Sequence, residues 1–194
     1  MARTKEFDRD EALQRAILVF WKKGFAGTSI DDLVRATGIG RQSLYDTFGD
    51  KRQLFLEALR TYNAAGIAGV LEKLRTGPSA LAAIEMLLVE MAEASAKTRA
   101  LGCMGVNAIC ELAGEDAEIR SLTGTSSALL EATLAAVLDE GKSKGAIRRG
   151  IDSRAAARFL AATLGGMKVQ AKAGVPREAL RDVAAFAAGS LRPR

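Results

Sequence analysis

Gly38-Ile39-Gly40-Arg41-Gln42-Ser43-Leu44-Tyr45-Asp46-Thr47-Phe48-Gly49-Asp50-Lys51 is the stretch on which the reading of this chain turns. At 3.6 residues per turn, Arg41, Gln42 and Tyr45 fall within an arc of roughly 100°. Leu44 and Phe48 lie one turn apart and form an apolar ridge beside that arc. The ridge can dock on a core, while the opposite side offers forked and planar donors to something outside. Gly38 supplies the left-handed residue that a sharp turn needs.

The segments on either side complete the pattern. Asp8 to Lys23 reads as a helix with Leu13, Ala16, Ile17 and Phe20 on one face, stopped by Gly24. A second helix starts at Thr28-Ser29-Ile30-Asp31-Asp32, with Ser29 as cap and acids in its first turn, and runs to about Thr37. The third spans about Gly40 to Phe48. Two short helices joined by a Gly-containing turn form a helix-turn-helix.

Six further helices are expected. They cover Lys51 to Leu74, Ala80 to Lys97, Leu101 to Ala113, Ile119 to Gly141, Ser153 to Ala173, and the stretch after Pro176 to about Leu191. With 194 residues, 48% hydrophobic content and 3 Pro, the chain is globular and all-α. Its apolar stretches are expected to be broken by charge before they reach a membrane span. The polar N-terminus and the 2 Cys point to a reducing cytoplasm.

The charge is +5, with pI near 9.4. Residues 1–60 hold 11 Lys and Arg against 9 Asp and Glu; the rest hold 17 against 14. A phosphate-binding surface is compatible with that balance, but bulk charge does not locate it. The chain has no His, which removes the usual general base and the commonest zinc ligand. No catalytic cluster, cofactor or metal site is expected.

A helix of this size fits the major groove of B-DNA. There Arg matches guanine O6/N7 and Gln matches adenine N6/N7. Ser43, Tyr45 and Thr47 carry hydroxyls suited to phosphate, and Thr28 and Ser29 stand at a helix start that favours anions. Lys51 begins the fourth helix, and Arg3 and Lys5 sit on an N-terminal arm. The face could be an ordinary solvated one. Taken together, though, these residues make what base reading requires.

Phe20-Trp21-Lys22-Lys23-Gly24-Phe25, Thr28-Ser29-Ile30-Asp31-Asp32-Leu33, Leu44-Tyr45 and Phe48-Gly49-Asp50-Lys51 resemble the TetR family of bacterial regulators, with an AcrR-like helix-turn-helix, over about residues 8–60. The resemblance implies about nine helices, with a DNA-binding domain in residues 1–50 and an effector-binding and dimerisation domain in 51–194. It implies a homodimer on palindromic double-stranded operator DNA, with two recognition helices about one turn apart. Most members are repressors released by a ligand. Arg41 and Gln42 become base readers, and Thr28, Tyr45 and Lys51 phosphate contacts. The family often has Ser at the position of Gly40 and His or Tyr at that of Thr47.

Cys103, Asn107 and Cys110 share a helical face, with Cys103 at the helix start, where the dipole favours a thiolate. Gly102-Cys103 followed by Asn107 and Glu111 resembles a subgroup in which some members sense electrophiles or oxidants through this cysteine. The alternative is a cysteine acting as a small core hydrophobe. Lys168 and Lys172 are candidates to approach it. Met86, Met91, Met104 and Met167 are candidates for an apolar pocket wall, and Asn107, Glu111 and Thr133 for polar anchors of a small apolar effector. Phe159, Leu160, Leu164, Leu180, Val183, Ala187 and Leu191 fit either a dimer interface or packing within the chain. An activator or constitutive DNA-binding protein of the same fold, a pure dimerisation module and a helical enzyme are the rival readings. The missing His counts against the enzyme.

Overall fold

The computed structural model describes residues 7–193. Ten helices follow one another, and no strand occurs among the described residues: α1 (Arg9–Lys23), α2 (Ile30–Thr37), α3 (Arg41–Phe48), α4 (Lys51–Thr76), α5 (Ala80–Glu93), α6 (Ala96–Leu101), α7 (Met104–Leu112), α8 (Ala117–Ser143), α9 (Ser153–Lys172) and α10 (Arg177–Gly189).

Each short helix of the head is closed by local chemistry. Asp8 caps α1 by accepting from the N–H groups of Asp10 and Glu11, and Gly24 ends it at φ 71°. Ser29 and Asp32 form a reciprocal capping box on α2, which ends at the left-handed Gly38. Gly40 precedes α3 without a side-chain cap. A second capping box, from Asp50 and Gln53, starts α4.

Two apolar cores hang on α4. Leu13, Ile17, Phe20, Leu33, Leu44 and Phe48 pack with Leu54, Phe55 and Leu59 of α4, and with Met104, Ala108 and Ile119. Leu74, near the other end of α4, joins the core formed by α5, α8, α9 and α10. At 1.5 Å per residue, the 26 residues of α4 span about 39 Å, enough to reach both. The head is therefore not packed on itself alone: α7 and the start of α8 complete its core.

The chain departs from the sequence reading in three places. The expected helix from Ala80 to Lys97 is broken. Ala94 is extended, and the Ser95 hydroxyl captures the N–H of Thr98, which starts the separate six-residue α6. Gly102, at φ 66°, ends α6, so Cys103 is the N-cap of α7. Lastly, α8 is long enough and holds an 18-residue stretch apolar enough, with a mean hydropathy of 1.2, to cross a membrane by length and composition. In the fold it packs against α4, α5, α7 and α9.

Leu59 is fully buried where α4 meets the head. Leu59→Ala should cost about 2–5 kcal/mol of stability, read as a lower urea midpoint at unchanged slope. A cost below about 1 kcal/mol would mean that the two halves do not share this core.

Candidate functional site

On α3, Leu44 and Phe48 are buried while Arg41, Gln42, Ser43 and Tyr45 face solvent. The ridge and the polar arc are thus split as the spacing requires. Arg41 donates to Asp31 at 2.6 Å, and Gln42 donates to Asp46 at 2.9 Å. Exposed pairs of this kind hold little energy, so they can exchange for other acceptors. The Lys51 ammonium lies 4.3 Å from the centre of the Phe25 ring, which orients it at the start of α4.

Asp32 binds Lys23 at 2.7 Å and accepts from the Ser29 N–H and hydroxyl. Lys23, then Ser29, hold its carboxyl well below the usual range. The box therefore stays ionised at neutral pH and fixes the start of α2. Ser29 spends its hydroxyl on this box.

The hydroxyls of two expected phosphate contacts turn inward. Thr28 is buried, and its hydroxyl donates to the Gly24 carbonyl at 2.6 Å, closing an acceptor left open at the end of α1. The Thr47 hydroxyl is buried without a hydrogen-bond partner. On the helical wheel Thr47 flanks Leu44 on the side away from Phe48, at the edge of the apolar ridge, and it is half-buried. Arg3 and Lys5 lie outside the described residues.

Behind the head, a cavity of about 330 Å³ opens between α1, α4, α5, α6 and α9; Trp21, Tyr62, Met91, Arg99, Gly102 and Lys168 are among its walls. Trp21 and Tyr62 meet edge to face, with centroids 5.0 Å apart. Half-buried Cys103 sits just outside this wall, with its Sγ 3.9 Å from the Lys168 Nζ. Burial, then the neighbouring Cys103, push the Tyr62 phenol up. Of the two candidate lysines, Lys168 is the one that reaches the cysteine; Lys172 donates to Asn107 at 3.0 Å.

Most of the other expected sensor residues do not meet the cavity. Met104 and Met167 are buried in the head and body cores, while Met86 is 59% exposed. Cys110 is exposed. The Thr133 hydroxyl returns to the Leu129 carbonyl of its own helix. Asn107 donates to the Leu101 carbonyl and so braces α6 against α7. Among the described residues, no three Cys, Asp or Glu side chains gather to hold a metal ion.

Glu111 does not line the cavity and is a clasp. Its carboxylate accepts from the N–H of Phe25 at 3.0 Å and of Ala26 at 2.7 Å, in the turn between α1 and α2. Near the other end of the same segment, the Trp21 Nε1 donates to the Gly102 carbonyl at 3.2 Å. The α6–α7 segment therefore grips the head at two points, with Cys103 between them.

Residues 12–58 match the model of bacterial regulatory proteins of the tetR family, and residues 79–186 match the tetracyclin repressor-like C-terminal domain. The chain belongs to the TetR family. It is a DNA-binding transcriptional regulator. The uncharacterised HTH-type transcriptional regulator YezE of Bacillus subtilis is 36% identical over 94% of this chain and 95% of its own. The HTH-type transcriptional repressor ComR of Escherichia coli is 31% identical over 94% and 88%. A cysteine mutant of the TetR family regulator CifR, solved with 26-bp double-strand operator DNA, is 32% identical, with a TM-score of 0.84 over 98% of this chain and all of that one.

Removing the clasp should loosen the turn that positions α2 and α3. Glu111→Ala is expected to weaken binding to an operator selected from random duplexes by roughly 5- to 30-fold at fixed salt. Fluorescence anisotropy reads this directly; unchanged affinity would leave the clasp without a role in DNA binding.

Proposed function

We propose that this TetR-family regulator is a cytoplasmic homodimeric repressor that leaves its operator when the cavity is occupied or Cys103 is modified. In this reading residues 1–50 form the DNA-binding domain, and residues 51–194 carry effector binding and dimerisation. Arg41 and Gln42 read base edges in the major groove. Tyr45, Lys51 and Ser43 position the helix on phosphates, helped by the open N–H groups of the uncapped start of α3.

The observation that carries the reading is the double grip of the α6–α7 segment on α1 and on the turn that follows it. A group added at Cys103, or a ligand between Trp21 and Lys168, presses on the segment that holds the head through Gly102 and Glu111. An effector releases DNA only by as much as it prefers the shifted state.

Dimerisation through α9 and α10 is supported by large apolar side chains facing outward: Phe159 and Val169 on α9, and Phe186, 79% exposed, on α10. Leu160, Leu164, Leu180, Ala187 and Leu191 are instead spent on the core within the chain. A two-fold axis would set the recognition helices one DNA turn apart, on a palindrome.

Base readers and phosphate contacts separate in their signatures. Arg41→Ala should cost about 1–3 kcal/mol on the selected operator and relax its sequence preference, whereas Lys51→Ala should weaken all duplexes alike and lower the salt slope by about 1. Equal losses on every sequence for Arg41→Ala would remove it from base reading. In a Cys110→Ser background, N-ethylmaleimide should release the operator, and a further Cys103→Ser change should abolish that response. Release that persists without Cys103 would place the sensing elsewhere.

A further inference from the structure

The cavity carries a charge pattern that does not suit a purely apolar effector. Three cations line it, Lys73, Arg99 and Lys168, against one carboxylate, Glu90. Lys73 and Glu90 satisfy each other at 2.6 Å. Neither Arg99 nor Lys168 has a carboxylate within ion-pair distance among the described residues. Glu93, whose carboxyl feels the charge of Arg99, is held by Arg181. Lys168 has only the Cys103 sulfur at 3.9 Å.

The Arg99 guanidinium donates from one terminal nitrogen to the Val175 carbonyl, while its Nε is buried with no hydrogen-bond partner. The Nε is closed to a water-sized probe, so an acceptor in the cavity would meet the terminal nitrogens, and a carboxylate is the acceptor matched to a guanidinium. The remaining walls are apolar: the Trp21–Tyr62 pair with Val70, Leu87 and Met91. A volume of about 330 Å³ admits one small ring or short alkyl body. A neutral apolar ligand would strip water from two cations and give them nothing in exchange, and a cationic one would be repelled.

We propose that this cavity binds an amphipathic monocarboxylate, with its apolar body against Trp21 and Tyr62 and its carboxylate between Arg99 and Lys168. The proposal names the effector class of the regulator described above. It rests on that reading for its consequence on DNA, not for the binding itself.

Trp21 is the single tryptophan of the chain and stands in the cavity wall, so its fluorescence reports occupancy without DNA. The full chain would be titrated with 4-phenylbutyrate and with the uncharged 4-phenylbutyramide. The acid should bind at least about ten-fold tighter than the amide. Arg99→Gln should close that gap by weakening the acid more than the amide; Lys168→Gln is the second variant should the first fail to fold. An amide that binds as tightly as the acid would overturn the proposal. So would a preference for the acid that survives both substitutions, or a Trp21 signal unmoved by either probe at millimolar concentration. Tighter binding of phenyl phosphate than of the acid would also overturn it, in favour of a phosphate ligand. Binding of the acid without operator release would keep the ligand class and refute the release mechanism.

Discussion

The carboxylate of Glu111 on the N–H groups of Phe25 and Ala26 is the contact on which the account of this molecule rests. Helix α1 ends at Gly24 in a left-handed turn, and the chain must reach the start of α2 within five residues. That turn decides where the helix-turn-helix points. Part of its backbone is satisfied inside the head, by the Thr28 hydroxyl on the Gly24 carbonyl. The two N–H groups at its apex are satisfied from α7 instead. A helix of the body therefore sets the geometry of the DNA-facing unit.

This arrangement couples the head to the cavity by short steps. Cys103 caps α7, Gly102 beside it holds Trp21, and Trp21 is both an α1 residue and a cavity wall. Asn107 ties α6 to α7, and Lys172 ties Asn107 to α9. None of these contacts is strong alone. Coupling energies between sites are commonly only 1–3 kcal/mol, which a few such bonds can carry. The shared core on α4 keeps the two halves from moving independently, so a shift of the α6–α7 segment reaches α1 rather than dissipating.

The head was legible because its signals are local. Glycines at Gly24 and Gly38, the Ser29 cap and the Leu44–Phe48 ridge lie within a turn or two of what they control. The Thr28 and Thr47 hydroxyls, at the start of α2 and the end of α3, turn inward, which the spacing of the sequence does not record. The sensor half was harder. Glu111 and Phe25 are 86 positions apart, and no periodicity records such a pair. Met104 and Met167 belong to two different cores, a division that appears only once α4 is seen to span both. Arg99 drew no notice in the sequence because its meaning lies in its place on the cavity wall. The break at Ser95 was written in a Ser that could equally have sat on a continuous helix.

Amide hydrogen exchange at Phe25 and Ala26 tests the central claim most directly. The Cys110→Ser protein would be compared before and after N-ethylmaleimide reaction at Cys103, with the Leu134 and Leu138 amides of the body core as internal controls. The account predicts that protection at Phe25 and Ala26 falls while the two leucine amides keep theirs. Unchanged protection at both turn amides in a protein that no longer binds its operator would contradict it, because the head would then have been released by a route that bypasses Glu111.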